Sequence, residues 1–336
     1  MKKIKNTRKT NLMKKFFIML CRIFGFEIID QAKFNSPTLG KSLNEILSTP
    51  GKKSITIPLG QINITRKIKK FKIILRSCTS ELIMDQNKKR LFDCEKNEYT
   101  FRTIKSLMRA VILAKNIFND VKFEIVVTDT NSSQDDISII KNLLNQTKID
   151  TKFISIDLKS FENKIKPGYT KAKFSNMANF YNSLLMAKNE DSDIIYFVED
   201  DYIHSANSIT EMMFSYEKFS TIFNSDLILL PSDYPYLYTK DESTKIYLGE
   251  NYHWRLVSES LVTFMTSKNL IEKNFKDLEV MGIEWIDPWE RPLHKIYKEN
   301  PCLSPLPSLA FHCANINSVF GVSPNINLKK IWNENK

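Results

Sequence analysis

Three consecutive acids, Glu199, Asp200 and Asp201, follow directly on the apolar run Ile-Ile-Tyr-Phe-Val at 194–198. A run of that kind forms a buried strand, and three carboxylates at its end repel one another unless positive charge sits among them. A divalent cation answers that need, because carboxylate oxygens are the ligands that Mg²⁺ and Mn²⁺ favour. A solvated acidic turn is the other setting for such a triplet, and the apolar strand before it tells against that setting. A second group of acids stands in Gly282-Ile-Glu-Trp-Ile-Asp-Pro-Trp-Glu-Arg-Pro. Here Glu284, Asp287 and Glu290 alternate with Trp285 and Trp289, whose ring faces can raise a carboxylate's pKa towards the range of a general base. Asp287 is also a good N-cap for a helix starting at Pro288, and both roles can hold at once.

The segments that must position these groups alternate between two periodicities. Phe71–Leu75, Phe123–Thr128, Lys152–Ile156, Asp193–Val198 and Leu227–Leu230 are short apolar runs suited to buried strands. Between them, Phe101–Phe118 carries Ile104, Leu107, Met108, Val111 and Ile112 at helical spacing. Asp135–Leu144 and Phe174–Ala187 repeat the pattern. This alternation predicts an α/β fold: a mostly parallel sheet with helices on both faces, binding its ligand at the carboxyl ends of the strands. Ahead of it, residues 30–60 are broken by Pro37, Gly40, Pro50, Gly51, Pro58 and Gly60. They read as loop, with a short helix at Leu43–Leu47 and a hairpin of Ser54–Ile57 with Gln61–Arg66. The expected organisation is a basic amphipathic segment over 1–26, an extension over 27–70, a main domain over 71–325 and a tail over 326–336.

Asp-Ile-Ile-Tyr-Phe-Val-Glu-Asp-Asp-Tyr at 193–202 resembles the strand and Asp-x-Asp motif of GT-A glycosyltransferases, in the Glu-Asp-Asp form of some inverting members. The resemblance spans Phe71 to Pro324 and is strongest at this motif. It implies that Asp201 binds the metal bridging a donor diphosphate, with Glu199 and Asp200 orienting metal-bound water and ribose. Phe123-Glu-Ile-Val-Val-Thr-Asp-Thr-Asn-Ser-Ser is similar to the second strand of family 2 enzymes, which places Asp129 on the nucleotide base. A carboxylate can accept a base N–H, and an Asx turn after the strand is the competing role. Arg76 and Ser77 would line the same pocket, joined by Lys173 and Asn176. Pro307-Ser-Leu-Ala-Phe-His312 resembles the terminal strand whose histidine returns to the metal or diphosphate, and imidazole binds Mn²⁺ readily. By the same likeness Asp287 is the first choice for the base of an inverting transfer, with Glu284 second. Gly249 and Trp254 resemble a loop closing over donor and acceptor. The aromatic stretch around them, including Tyr234, Tyr236, Tyr238, Tyr247 and Tyr252, reads as the acceptor side or as core. The implied partners are a nucleotide-sugar donor and a glycan or lipid-linked acceptor, and the implied cofactor is Mn²⁺ or Mg²⁺. The implied setting is assembly of a surface polysaccharide, lipopolysaccharide or glycoprotein glycan.

Bulk properties narrow the alternatives. Of the net charge of +11, eight units belong to Lys2, Lys3, Lys5, Arg8, Lys9, Lys14, Lys15 and Arg22, with no acid before Glu27, which leaves +3 for the remainder. The basic character is local, and nucleic-acid binding loses its support. Leu12, Phe16, Phe17, Met19, Leu20, Ile23 and Phe24 form the apolar side of a helix in that segment. It suits an anionic membrane surface, or equally a helix packed on the protein itself. The five cysteines lack paired spacing and suit a reducing compartment, so a cytoplasmic and membrane-associated location is expected. A nucleotidyltransferase would call for a glycine-rich phosphate loop after Phe71–Leu75, which the sequence lacks. A glycan-binding protein on a decayed transferase fold would have little reason to retain all three acids and His312.

Overall fold

The computed structural model describes residues 12–25, 63–80, 90–189, 191–239, 244–314 and 326–336. The helix expected at Leu43–Leu47 and the strand at Ser54–Ile57 lie outside the described residues. Residues 63–66, part of the second hairpin strand expected from sequence, form no strand. The chain divides into two compact units, residues 1–63 and 64–336. The first contributes one described helix, α1 (Leu12–Ile23).

In the second unit, β1 (Lys70–Ser77), β2 (Lys122–Asp129), β3 (Asp150–Ser155) and β4 (Ile194–Glu199) alternate with α2 (Lys96–Ile117), α3 (Gln134–Asn145) and α4 (Lys171–Asn189). The chain then runs through β5 (Tyr202–His204), α5 (Ser208–Phe223), β6 (Ile228–Leu229), β7 (Ile246–Leu248), β8 (His253–Leu256) and β9 (Phe264–Ser267). It continues with α6 (Lys268–Lys273), α7 (Phe275–Ile283), α8 (Arg291–Ile296), β10 (Cys302–Leu306), β11 (Ala310–His312) and α9 (Leu328–Asn333). Nine strands form one sheet in the order β3-β2-β1-β4-β9-β6-β10-β8-β7. Only β8 and β9 oppose the direction of the rest, so the sheet is mostly parallel by strand direction.

The strand order explains where a ligand site belongs. From β1 the chain winds through β2 to β3, then crosses back over β1 to reach β4. Right-handed crossovers in opposite directions place their helices on opposite faces, so α2 and α3 cover one face and α4 the other. The reversal lies between β1 and β4, and its carboxyl end is where open α/β sheets bind their ligands. Both strands are held rigidly. Ile73, Ile74, Leu75 and Ile195 to Val198 are fully buried, each large aliphatic side chain contributing about 1.5–3 kcal/mol relative to exposure. A smaller cluster of Tyr99, Ile203, Phe311, Cys313 and Trp332 seats the second sheet, β5 with β11, against α2. Trp332 on α9 stacks on Phe92 at 4.1 Å between ring centroids, and Arg102 donates to its carbonyl at 2.7 Å.

Candidate functional site

Register decides which side chains meet at the β1–β4 crevice. Arg76 stands opposite Glu199, and Ser77 stands opposite Asp129. Because side chains alternate along a strand, these two pairs leave the sheet on opposite faces. On the α4 face, Arg76 Nη1 donates to Asn176 Oδ1 at 2.9 Å, and Nη2 lies 3.1 Å from Glu199 Oε1. The guanidinium packs over Phe180 at 5.2 Å and Trp289 at 5.7 Å. It is buried, and its Nε and Nη2 have no hydrogen-bond partner among the described residues. Burial pushes the Glu199 carboxyl above its ordinary pKa; Arg76 opposes the rise and Asp201 adds to it.

On the α2 face, Ser77 Oγ donates to Asp129 Oδ1 at 2.7 Å. The same carboxylate accepts from the Ser132 hydroxyl and, at 3.3 Å, from the Ser132 amide. This is the Asx-type turn, so Asp129 both closes the loop after β2 and borders the crevice. Burial raises its pKa against these hydroxyls. Asp200 Oδ2 accepts from the Cys78 amide at 3.0 Å and the Thr100 hydroxyl at 3.0 Å, with Lys96 Nζ at 3.2 Å. Burial works against the charge on Lys96, and Asp200 more than restores it, so the Lys96 pKa is raised. Lys96 and Thr100 head a polar stripe on α2 that continues through Thr103 and Ser106, all buried except Lys96, which is partly so. The apolar spacing of Phe101–Phe118 concealed this stripe. Its own signal was small hydroxyl residues at helical intervals just beyond a lysine.

His312 reaches the acids through the β5–β11 ladder, where it stands opposite Tyr202. The Cys313 amide extends that ladder to the Asp201 carbonyl at 2.8 Å. The His312 ring stacks on Tyr202 with centroids 4.7 Å apart and an 8° tilt, and its Nε2 lies 3.2 Å from Asp201 Oδ2. Burial alone would lower the His312 pKa, but Asp201 raises it; burial alone would raise the Asp201 pKa, but His312 lowers it. The net directions agree on a charged pair. His312 Nδ1 is buried without a partner among the described residues.

These contacts test the expected metal ligands. Once His312 gives up its Nε2 proton, Asp201 and His312 offer one oxygen and one nitrogen at a separation matching adjacent ligands of an octahedral ion, which stand about 3 Å apart when each bond is about 2.1 Å. Of the two, the carboxylate is the ligand type that Mn²⁺ and Mg²⁺ favour. Among the described residues no three His, Cys, Asp or Glu side chains gather tightly enough to hold an ion by themselves. An ion held by this pair would therefore take the rest of its shell from phosphates and water. The acids of the triplet separate because consecutive residues diverge. Glu199 is drawn to Arg76 and Thr263, and Asp200 to α2, which leaves Asp201 facing His312.

The tryptophan segment closes over the α4 side. Trp285 and Trp289 stack in parallel at 5.2 Å and 4°, with Lys173 Nζ 4.5 Å from the Trp285 centroid. With Arg76 over Trp289, cation, ring, ring and cation form one continuous stack, and Lys173 and Arg76 are its ends. Neither carboxylate favoured from sequence as the base is turned inwards. Asp287 is exposed, and Glu284 is paired with Lys166 at 2.6 Å. Glu290, the third acid of the segment, is partly buried, and burial pushes its pKa up to about 7, with Glu199 and Asp287 raising it and His312 lowering it. Its carboxyl therefore shares the electrostatic environment of the acidic site.

Gly249 and Trp254 fall elsewhere. They bracket the β7–β8 turn at the far edge of the sheet, four strands from β4, or about 19 Å at the usual strand spacing. Trp254 is fully buried, with its indole N–H 3.3 Å from Glu211 Oε1. A Cβ on Gly249 would stand 2.5 Å from Trp254 Nε1 and 2.6 Å from Glu211 Oε1. Both residues are packed against α5 and offer a donor no surface, which corrects their expected role. The tyrosines divide similarly: Tyr234 is buried with its hydroxyl 2.9 Å from that of Tyr202, whereas Tyr238 is exposed over Arg255.

No protein-family model matches the sequence, and no curated protein does. Among solved structures, S. aureus TarS 1–349 is similar at 14% identity and a TM-score of 0.42, over 70% of this chain and 57% of that one. UTP-bound UGPase from Acinetobacter baumannii is similar at 9% identity and a TM-score of 0.42, over 80% and 93%. Mouse xyloside xylosyltransferase 1 is similar at 13% identity and a TM-score of 0.35, over 68% and 76%. The likeness at these scores is loose, and the ligands of those proteins are their own.

Proposed function

We propose that this chain is a metal-dependent glycosyltransferase that moves a sugar from a nucleoside-diphosphate sugar to a hydroxyl of a glycan or lipid-linked acceptor, with inversion. The observation that carries the reading is the convergence, at the strand-order reversal, of Asp201 paired with His312, Asp200 held by Lys96, and Arg76 against Glu199. Such a crevice offers cations and oxygen ligands to a diphosphate, and a narrow polar turn at Ser77, Asp129 and Ser132 to a nucleoside. Asp201 and His312 would hold the divalent ion. When bound, that ion offsets negative charge on the nucleoside-diphosphate leaving group. Lys96 and Thr100 keep Asp200 and the Cys78 backbone in place, and Asn176 and Phe180 keep Arg76 in place.

Glu290 is the group best placed to act as base, in preference to the exposed Asp287 and the ion-paired Glu284. Its carboxylate takes the proton of the acceptor hydroxyl while the hydroxyl oxygen bonds to the anomeric carbon. The bond from that carbon to the diphosphate oxygen breaks, and the nucleoside diphosphate leaves with the electron pair. A base of pKa about 7 is half ionised near neutrality and retains proton affinity, the compromise that general-base catalysis requires.

Thermal unfolding with UDP, GDP, CDP or dTDP, each with and without Mn²⁺, tests the reading. A metal-dependent rise in Tm with one nucleotide, absent in Asp201→Ala, is expected. Folded protein that responds to none of the four, with or without metal, would remove the donor site from the account.

A further inference from the structure

We infer that α1 is a docking element for an anionic lipid bilayer, lying in the plane of the surface. This stands apart from the reading of the acidic site. α1 is a 12-residue helix, about 18 Å long and far short of a hydrocarbon layer about 30 Å thick. Its end is fixed by Gly25, whose φ of +81° is the left-handed conformation that closes a helix, with its amide on the Arg22 carbonyl at 3.0 Å. None of the described helices is long and apolar enough to cross a membrane.

What α1 shows to solvent is hydrocarbon. Leu12, Met13 and Ile23 are 82%, 79% and 73% exposed, and Phe16, Phe17 and Phe24 are 58–70% exposed. At 3.6 residues per turn, Leu12, Phe16, Met19, Leu20 and Ile23 fall on one face and Arg22 on another. Elsewhere in the described residues large apolar side chains are exposed only singly or in small groups, such as Ile139 on α3 and Ile246 on β7.

Charge complementarity selects the occupant. Residues 1–26 hold eight cations and no acid, a balance that attracts acidic headgroups and repels a second copy of the same segment. An apolar face a few side chains deep, rich in Phe and flanked by cations, matches the boundary between headgroups and acyl chains. Lipid phosphate is the recognised chemistry, and the apolar face separates a bilayer from free phosphate.

The test is co-sedimentation of the full chain with vesicles of phosphatidylcholine alone and of phosphatidylcholine with about one third phosphatidylglycerol. Binding at least about tenfold stronger to the anionic vesicles is expected, weakening as salt is raised. Phe16→Asp should abolish it and Arg22→Gln should lower it about fivefold, while Ile139→Asp, an exposed apolar position on α3, should leave it unchanged. The Tm of each variant shows that the fold is intact. Equal binding to neutral vesicles, no binding to either, or a loss on Ile139→Asp equal to that on Phe16→Asp would overturn the proposal. So would a dimer that Phe16→Asp dissociates in a chain that ignores vesicles.

Discussion

Glu211 on α5 and Asp201 after β4 are both buried acids, and their surroundings differ in kind. The carboxylate of Glu211 accepts from the Ser215 hydroxyl at 3.0 Å, the Glu250 amide at 3.0 Å, the Asn251 amide at 2.9 Å and the Trp254 indole at 3.3 Å. Its hydrogen-bond partners among the described residues are all neutral donors, so the group replaces its lost water with the turn it clamps. Around Asp201 the chain has gathered Glu199, Asp200 and Glu290 against Arg76, Lys96 and His312, and among the described residues Arg76 Nε and His312 Nδ1 have no hydrogen-bond partner. Burial raises Glu199 and Glu290 above their ordinary pKa values, and neighbouring acids add to the rise. Satisfied donors mark a carboxylate that holds structure. Clustered charge at a strand-order reversal is the feature on which the proposed donor site rests.

Three substitutions or titrations sharpen this contrast. The largest effect is expected for Glu290→Gln, which keeps shape and removes the proton acceptor. Turnover should fall about 10²–10⁴-fold with little change in donor affinity, and wild-type turnover should rise with pH through about 7. A variant within about tenfold of wild type would place the base elsewhere.

Next is Gly249→Ala on the other side of the comparison. Its Cβ would press on Trp254, Glu211 and Ser215, and should cost about 2–3 kcal/mol in denaturant unfolding with no change in nucleotide binding. Loss of nucleotide binding in folded protein would mean that the far turn communicates with the crevice.

The smallest effect is a pH dependence of stability in metal-free protein. The pKa of Glu290 is raised, so the fold favours its protonated form. That contribution is complete below the unfolded value near 4.3 and is lost as pH rises through about 7. Allowing for partial exposure, the loss is about 2 kcal/mol, and Glu290→Gln should flatten it. An unchanged profile in the variant would assign the slope to other groups.

Much of this arrangement was legible in the sequence where chemistry and periodicity coincide. Apolar runs located β1, β2 and β4, and set the acids 199–201 at the end of β4, because a buried strand ending in carboxylates is a local pattern. Helix ends were less legible: α2 begins at Lys96, not near Phe101, since its first turn is polar on the side that meets Asp200. Pairings across the fold were not readable at all. Which acid faces His312 depends on the β5–β11 ladder, and which acid of 284–290 turns inwards depends on the tryptophan stack. Gly249 and Trp254 misled for the same reason, because a glycine-aromatic turn looks alike in a loop over a ligand and in a hairpin seated on Glu211.

The most direct test pairs Asp201→Asn with Glu211→Gln and measures unfolding free energy and Mn²⁺-dependent nucleoside-diphosphate binding on both. The account predicts a double dissociation. Asp201→Asn should lose nucleotide binding in folded protein, with a stability cost confined to the lost His312 pair, whereas Glu211→Gln should lose about 2 kcal/mol or more of stability and keep its binding. Asp201→Asn that binds nucleotide like wild type but unfolds like Glu211→Gln would contradict it, making both acids structural.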